Sequence, residues 1–182
     1  SVSGEVLFEG SYTLSQKGER LSDLVKRAGG LMPEAYAKGA RLLRQMTPDE
    51  KARVESVLKL SKQTDKDSID INRLDIGNTY YVGIELKKAI ENPGSDYDVV
   101  LREGDQLVVP QYTGTVKISG AVMYPNTVVY KKNAKLNYYI EQGGGFAFRA
   151  KKHKVFIVYM NGTVQKSKTF SKAKAAPGCE II

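Results

Sequence analysis

The chain repeats itself, and no other feature of its 182 residues limits the fold as much. A unit that occurs twice in so short a chain must be small and must close on its own hydrophobic core. Val2-Ser-Gly-Glu-Val-Leu-Phe-Glu-Gly10 lies over Ile118-Ser-Gly-Ala-Val-Met-Tyr-Pro-Asn126, sharing the Ser-Gly pair, the valine two residues on, and an aromatic at Phe8 and Tyr124. After a one-residue gap, Leu21, Leu24, Val25, Ala28, Gly29 and Gly30 align with Leu136, Tyr139, Ile140, Gly143, Gly144 and Gly145. That i, i+3, i+4, i+7 spacing marks the buried stripe of a short helix, and the glycines stop it. In the same register Ala40 to Arg44 falls on Val155 to Tyr159, and the closing stretch 101–110 is matched by 175–182, with Gly178 at Gly104 and Cys179 at Asp105.

Local chemistry orders the elements. Residues 2–8 read as a strand, Gly10-Ser11 as a turn, and Tyr12 to Leu14 as a hairpin partner. Asn133 reads as the N-cap of a second-copy helix over Ala134 to Gln142. Thr47-Pro48-Asp49-Glu50 is a capping box with proline at the first helical position, and Val54, Val57 and Leu58 give the helix it opens an apolar stripe. Residues 63–68 read as a polar loop, 69–71 and 79–82 as extended, 84–90 as helical turns, and Asn92-Pro93-Gly94-Ser95 as a turn. The fold class expected is therefore α+β: two tandem β-grasp-like units, each a mixed sheet packed on a short helix. The first is expected at 1–112 with a helical insertion about 47–68. The second is expected at 113–182, clipped at its last strand.

Charge separates the copies. Residues 1–110 hold 16 Lys and Arg against 18 Asp and Glu, and residues 111–182 hold 12 against 2. The whole excess sits in the second copy, and it admits two readings, an anionic partner or a solvated lysine-rich face. The candidate binding residues are Lys131, Lys132 and Lys135 before the second helix, Tyr138 on its outer side, and Arg149, Lys151, Lys152 and Lys154 after it. By position the two groups belong at opposite ends of that helix.

Other chemistry finds little support. His153 is the only histidine and Cys179 the only cysteine, so no disulfide, no thiolate metal site and no supported catalytic dyad follows. Gly143-Gly144-Gly145 ends a helix instead of opening one and has no Gly-Lys-Ser/Thr, so it is a cap and not a phosphate loop. Asp65, Asp67 and Asp70 lack the glycine and distal glutamate of a calcium loop. No catalytic, cofactor or metal residue is expected, and no reading motif points to nucleic acid. No stretch is long and apolar enough to span a membrane. The chain opens on Ser1 without a basic and apolar leader, which suggests a fragment whose targeting signal lay upstream.

The junction Leu101-Arg-Glu-Gly-Asp-Gln-Leu-Val-Val-Pro110, with Gly4 to Gly30, 116–125 and Leu136 to Gly145, resembles the SLBB (soluble-ligand-binding β-grasp) domains of outer-membrane polysaccharide export proteins. Those domains follow Gly-x-Val-x-x-Pro-Gly, a hairpin, a helix ending in Ala-Gly-Gly, and a closing Gly-Asp-x-Ile/Leu-x-Val-Pro. The first copy departs at Glu9, where the pattern has proline. The second departs at Asn126, a residue that tolerates the positive φ of the missing glycine, and at Cys179, which puts the last turn in question. The resemblance implies a non-enzymatic periplasmic module, associated with the outer membrane through other parts of the protein. Its implied partners are an exported capsular or exopolysaccharide, further copies of the chain in a ring, and an inner-membrane synthesis or co-polymerase component. The alternative function is a soluble module that binds an acidic oligosaccharide.

Overall fold

The computed structural model describes residues 1–62, 77–167 and 173–182, with the side chains of 58–62 excepted. The expected loop at 63–68 and the extended stretch at 69–71 lie outside the described residues. The first copy runs β1 (Val2–Gly4), α1 (Leu21–Arg27), a 3-10 turn (Ala37–Gly39), β2 (Arg41–Gln45), α2 (Pro48–Lys62), β3 (Thr79–Val82), α3 (Leu86–Glu91) and β4 (Gln106–Val109). The second runs β5 (Thr115–Ile118), β6 (Asn126–Val129), α4 (Leu136–Gln142), β7 (Val155–Val158), β8 (Val164–Ser167) and β9 (Glu180–Ile181).

The strands form two mixed sheets, ordered β1-β4-β2-β3 and β6-β5-β9-β7-β8. In each, the opening strand runs parallel to the closing one, β1 beside β4 and β5 beside β9, and the closing strand is antiparallel to β2 or β7. Each sheet carries its helix on its own core. Leu21, Leu24 and Val25 of α1 are buried with Val2, Leu42 and Leu107, while Tyr139 and Ile140 of α4 are buried with Val116, Ile118, Ile157 and Ile181. These are the β-grasp-like units the repeat implied. The capping box at the start of α2 is present, with the Thr47 amide donating to Glu50 and the Glu50 amide to Thr47.

The matching glycines do identical work. Gly29 and Gly144 have φ of 80° and 74°, a region that costs a side chain bearing Cβ. A Cβ at Gly29 would lie 2.8 Å from Leu7, and one at Gly144 would lie 2.7 Å from Tyr124. The close approach lets Phe8 N–H bond the Ala28 carbonyl at 2.9 Å and Tyr124 N–H bond Gly143 at the same distance. The loop after β1 or β5 is thereby tied to the end of the helix in both units.

Several expectations need correction. Tyr12 to Leu14 is not a strand. The only pairing of the first hairpin is the Val2↔Gly10 bridge, and Tyr12 to Leu14 enters no ladder. The segment is held by α1 instead, where Arg27 sits 5.4 Å over the Tyr12 ring and donates to Thr13 O at 2.9 Å. Asn133 does not cap α4. The cap is Lys135, and Asn133 takes φ 63° at the position of Gly18, whose φ is 86°. Asn126 needs no positive φ, because it opens β6 and its side-chain amide donates to the Gln142 carbonyl at 3.1 Å. The apolar stripe on α2 is open to solvent at Val57, which is 63% exposed. The last turn survives Cys179, since its N–H bonds Ala176 O at 3.1 Å just as Asp105 N–H bonds Arg102 O.

A basic cleft on the second unit

Between Gly143 and β7 the chain makes a run of tight turns, and these decide where its cations go. Gly145 at φ 82° turns the chain out of α4, and Ala147 N–H then anchors on the Ala121 carbonyl at 2.9 Å. Ala150 N–H bonds Ala147 O, Lys152 N–H bonds Ala150 O, and Lys154 N–H bonds Lys151 O, with Arg149 at φ 64° between them. A segment folded so tightly cannot bury its long side chains, and Arg149, Lys151, Lys152, His153 and Lys154 are all exposed.

Arg149, Lys151 and Lys154 meet around a cleft of about 350 Å³. Its walls are apolar, built from Val122, Ile140, Phe146 and Ile181. Lys152 is not among the lining residues, and its ammonium lies 5.8 Å from the centre of the Phe146 ring. Phe148 stands 88% exposed beside the cleft with the Arg149 guanidinium 5.4 Å over its ring. Cations over exposed aromatic faces, next to an apolar floor, suit an anionic ligand that also offers a flat or apolar surface.

The other predicted residues form a second group at the start of α4, and none of them lines the cleft. Lys131 places its ammonium 5.1 Å over the Tyr138 ring. Tyr138 is half-buried against the core, edge-on to Tyr139 at 5.2 Å. The Tyr139 hydroxyl donates to the Lys131 carbonyl and accepts from its N–H, both at 3.0 Å, which fixes the lysine-bearing loop to the core. Lys132 and Lys135 are exposed without an ion-pair partner among the described residues. The structure therefore splits the predicted site, bringing three of the eight residues together at the cleft and leaving the helix-start group apart.

Neither lone reactive side chain is prepared for catalysis. The Cys179 thiol is fully buried, and burial pushes its pKa up, away from the thiolate a nucleophile needs. His153 is exposed on the loop with no hydrogen-bonding neighbour among the described residues. The first unit has a cleft of its own, about 430 Å³, lined by Ser1, Tyr12, Leu14, Leu101, Arg102 and Asp105. It gathers no comparable set of cations.

Reading by residue type missed the apolar side of the cleft, Val122, Phe146 and Ile181. Their signal lay in the repeat register, where the counterparts are Val6, Leu31 and Leu107 of the first unit.

Comparison with known proteins agrees with this architecture. Two Escherichia coli proteins described as polysialic acid transport protein KpsD are each 28% identical to the chain over 95 residues, a stretch that is 52% of the chain and 17% of either relative. The chain thus spans only a small part of the length of these relatives. The family model for the SLBB domain matches twice, over residues 1–55 and 115–167, one match in each unit and together more than half of the sequence. With two sheets of matching order, two helices ended by the same glycine pair and a family match on each, the chain belongs to the SLBB domain family.

Proposed function

We propose that this chain is a non-enzymatic periplasmic module of a polysaccharide export protein, held at the outer membrane through other parts of that protein. In this reading 1–112 and 113–182 are its working units. They contact neighbouring copies and an inner-membrane synthesis component, and they frame the route of a capsular or exported polysaccharide. The observation that carries the reading is the pair of SLBB matches, one on each unit, in a chain whose relatives are described as polysialic acid transport proteins. Disrupting the gene for the chain in its host tests it. Surface polysaccharide should fall while polymer accumulates inside the cell, and undiminished surface display would sink the reading.

A second reading, that the basic unit itself binds an acidic oligosaccharide, is favoured by the cations gathered at the cleft and by the acidic polymer in the relatives' description. Titration with sialic acid oligomers and with neutral glucans separates the two readings. Acidic oligomers should bind at low ionic strength and lose affinity steeply as salt rises. Equal or absent binding of both glycans overturns this reading and leaves the first untouched.

A further inference from the structure

Where the two units meet, a turn of the second is pressed against the first. Between β7 and β8 the chain passes through Met160-Asn161-Gly162. A Cβ at Gly162, where φ is 85°, would lie 2.9 Å from the Tyr81 ring of β3. One at Gly39 would lie 3.0 Å from the Met160 Cβ and 2.6 Å from the Tyr36 ring. The Thr113 hydroxyl reaches Met160 Sδ at 4.0 Å. Contact this close fixes Asn161 and Thr163 beside the segment of the first unit that enters and leaves α3.

A cavity of about 320 Å³ lies there, with Glu85, Asp96 and Tyr97 from the first unit facing Asn161 and Thr163 from the second. Every lining residue falls between Gly83 and Thr163, so neither end of the chain shapes it. Its size matches the smaller clefts that take small molecules, which run from about 300 to 1,000 Å³. Asn161 Oδ1 accepts from the Thr163 N–H at 3.0 Å and from the Thr163 hydroxyl at 2.7 Å. Only the carbonyl end of an amide can accept both, so the amide orientation is settled and Nδ2 remains an unspent donor. On the other wall the Asp96 carboxylate has no partner among the described residues. Glu85 commits Oε2 to the Lys88 ammonium at 2.6 Å and keeps Oε1. Lys88 also stands 4.5 Å from the centre of the exposed Tyr97 ring and braces it. Ile84 and Val99 supply the apolar part of the wall.

A donor and two acceptors set around one aromatic ring and two aliphatic side chains match a sugar ring, whose hydroxyls donate and accept while its C–H faces are apolar. Charge narrows the class. Lys88 answers Glu85, which leaves Asp96 uncompensated and disfavours a carboxylated or phosphorylated ligand. We infer that the cavity between the units binds one uncharged pyranose ring of a glycan chain. Asp96 and Glu85 accept from its hydroxyls, Asn161 donates to a third oxygen, and Tyr97 with Ile84 and Val99 covers a C–H face. The acceptors come from one unit and the donor from the other, so the bound sugar ties the two together. The inference rests on the glycan half of the proposed function and adds a sugar class and its place, apart from the basic cleft and opposite to it in charge. Binding is measured on the chain alone with simple sugars. It can therefore fail while the export reading stands, and a failed gene disruption leaves it untouched.

The probes are methyl β-glucoside, methyl α-mannoside and methyl β-N-acetylglucosaminide, titrated into the full chain through the millimolar range. At least one should shift the Asn161 side-chain amide and the backbone amides of Glu85 and Tyr97 saturably, and equally at low and high salt. Glucuronic acid should shift none of them. Asn161→Asp keeps the acceptor that Thr163 uses and removes the donor. It should weaken binding about tenfold, the weight of one good hydrogen bond, with the melting temperature unchanged. Asp96→Ala should weaken binding by a similar factor, again without loss of stability, since Asp96 is exposed and unpartnered among the described residues. The absence of a saturable shift with all three glycosides overturns the inference. So does binding that both variants leave undiminished, or glucuronic acid binding as well as the uncharged sugars.

Discussion

The two units solve the same problem at the start of their closing strand in opposite ways. In the first, Arg44 of β2 makes a bidentate pair with Asp105, Nε to Oδ1 at 2.9 Å and Nη2 to Oδ2 at 2.7 Å, and both residues are buried. Two further bonds support the pair: Arg44 Nη2 also donates to Val100 O, and Asp105 Oδ2 accepts from Arg102 N–H. The aspartate hydrogen bonds hold the guanidinium pKa above its ordinary value. In the second unit the same two positions hold Tyr159 and Cys179. The Tyr159 hydroxyl donates to the Lys174 carbonyl at 2.7 Å, and the thiol is buried and neutral. Both members of the pair differ between the units, as the energetics of burial require: a buried ion pair is close to neutral against an apolar pair, whereas half of one is costly. The position accepts either chemistry, and by the cost of an unpaired buried charge a mixture should be unstable.

The sharpest way to break that comparison is to make the mixture. Asp105→Ala leaves a buried guanidinium without its counter-ion and should cost about 3–5 kcal/mol, read from urea denaturation followed by circular dichroism. Arg44→Tyr combined with Asp105→Cys copies the second unit and should recover most of the loss. In the reverse direction Cys179→Asp should destabilise the second unit by a comparable amount, and adding Tyr159→Arg should restore it. If the single and double variants are equally unstable, the two pairs are not interchangeable solutions.

A second test asks whether the units are as alike at the glycine turn as they are unlike at the pair. Gly29→Ala and Gly144→Ala each force a Cβ into positive φ and into the preceding loop, at 2.8 Å and 2.7 Å from its nearest neighbours. Each should cost about 1–3 kcal/mol. Because Cys179 is the only cysteine and is buried, its labelling by a thiol reagent reports the opening of the second unit. Gly144→Ala should accelerate labelling and Gly29→Ala should not. Acceleration by both would mean that the units open together.

The turn and the pair also mark what could be read in the sequence. The glycine pair, the helix stripes and the strand at each end are short-range patterns of apolar spacing and backbone chemistry, and a single register aligns them between the copies. The fold class follows from them. The weak edge of the first hairpin could not be read, because Tyr12 to Leu14 has good strand residues and residue type does not show that Arg27 of α1 holds the segment. The exposure of Val57 was hidden for a similar reason: a stripe shows which face of a helix is apolar and not whether a surface comes to cover it. At the candidate site, charge in the sequence located the cations of 149–154 but could not show that the helix-start group stands apart.

Smaller effects should divide the units by pH. Burial alone would raise the pKa of Glu19, but the Ser15 N–H, the Arg27 guanidinium and the Ser15 hydroxyl outweigh it and hold the carboxyl below its usual value. A depressed carboxyl contributes stability above its unfolded pKa, and that stability is lost as pH falls through the folded one. Its counterpart is Ala134, and the second unit's own depressed carboxyl, Glu180, held down by the Ser119 hydroxyl and Lys117, is far more exposed than Glu19, so the larger acid limb belongs to the first unit. Burial raises Cys179, Tyr139 and Tyr159 in the second unit and Tyr36 alone, among the described residues, in the first. Stability from a raised acid is full below the unfolded pKa and lost as pH climbs through the folded one. Residue-resolved hydrogen exchange should therefore show the first unit loosening earlier in acid and the second earlier in alkali, and the opposite order would refute the assignment.

The smallest effect is expected where the units differ most to the eye. β2 reaches β3 through α2, whereas β7 reaches β8 through Met160-Asn161-Gly162, with Tyr159 N–H on Thr163 O closing the turn as Met46 N–H on Asn78 O closes the longer link. Replacing residues 47–77 with Met-Asn-Gly gives the first unit the link of the second. The contacts known to be lost lie near the surface: Glu50 with Arg102 at 3.1 Å, Lys51 with Asn78 at 3.0 Å, and the Tyr80 hydroxyl on Glu50 at 3.4 Å. Exposed pairs of this kind contribute about 0–1 kcal/mol each. Shortening the loop returns about 0.6 kcal/mol for each halving of its length. The two terms offset, so the urea midpoint should move little and the spectrum of the sheet should be kept. Collapse of the first unit would show that α2 belongs to its core and is more than an addition to a fold that the second unit completes without it.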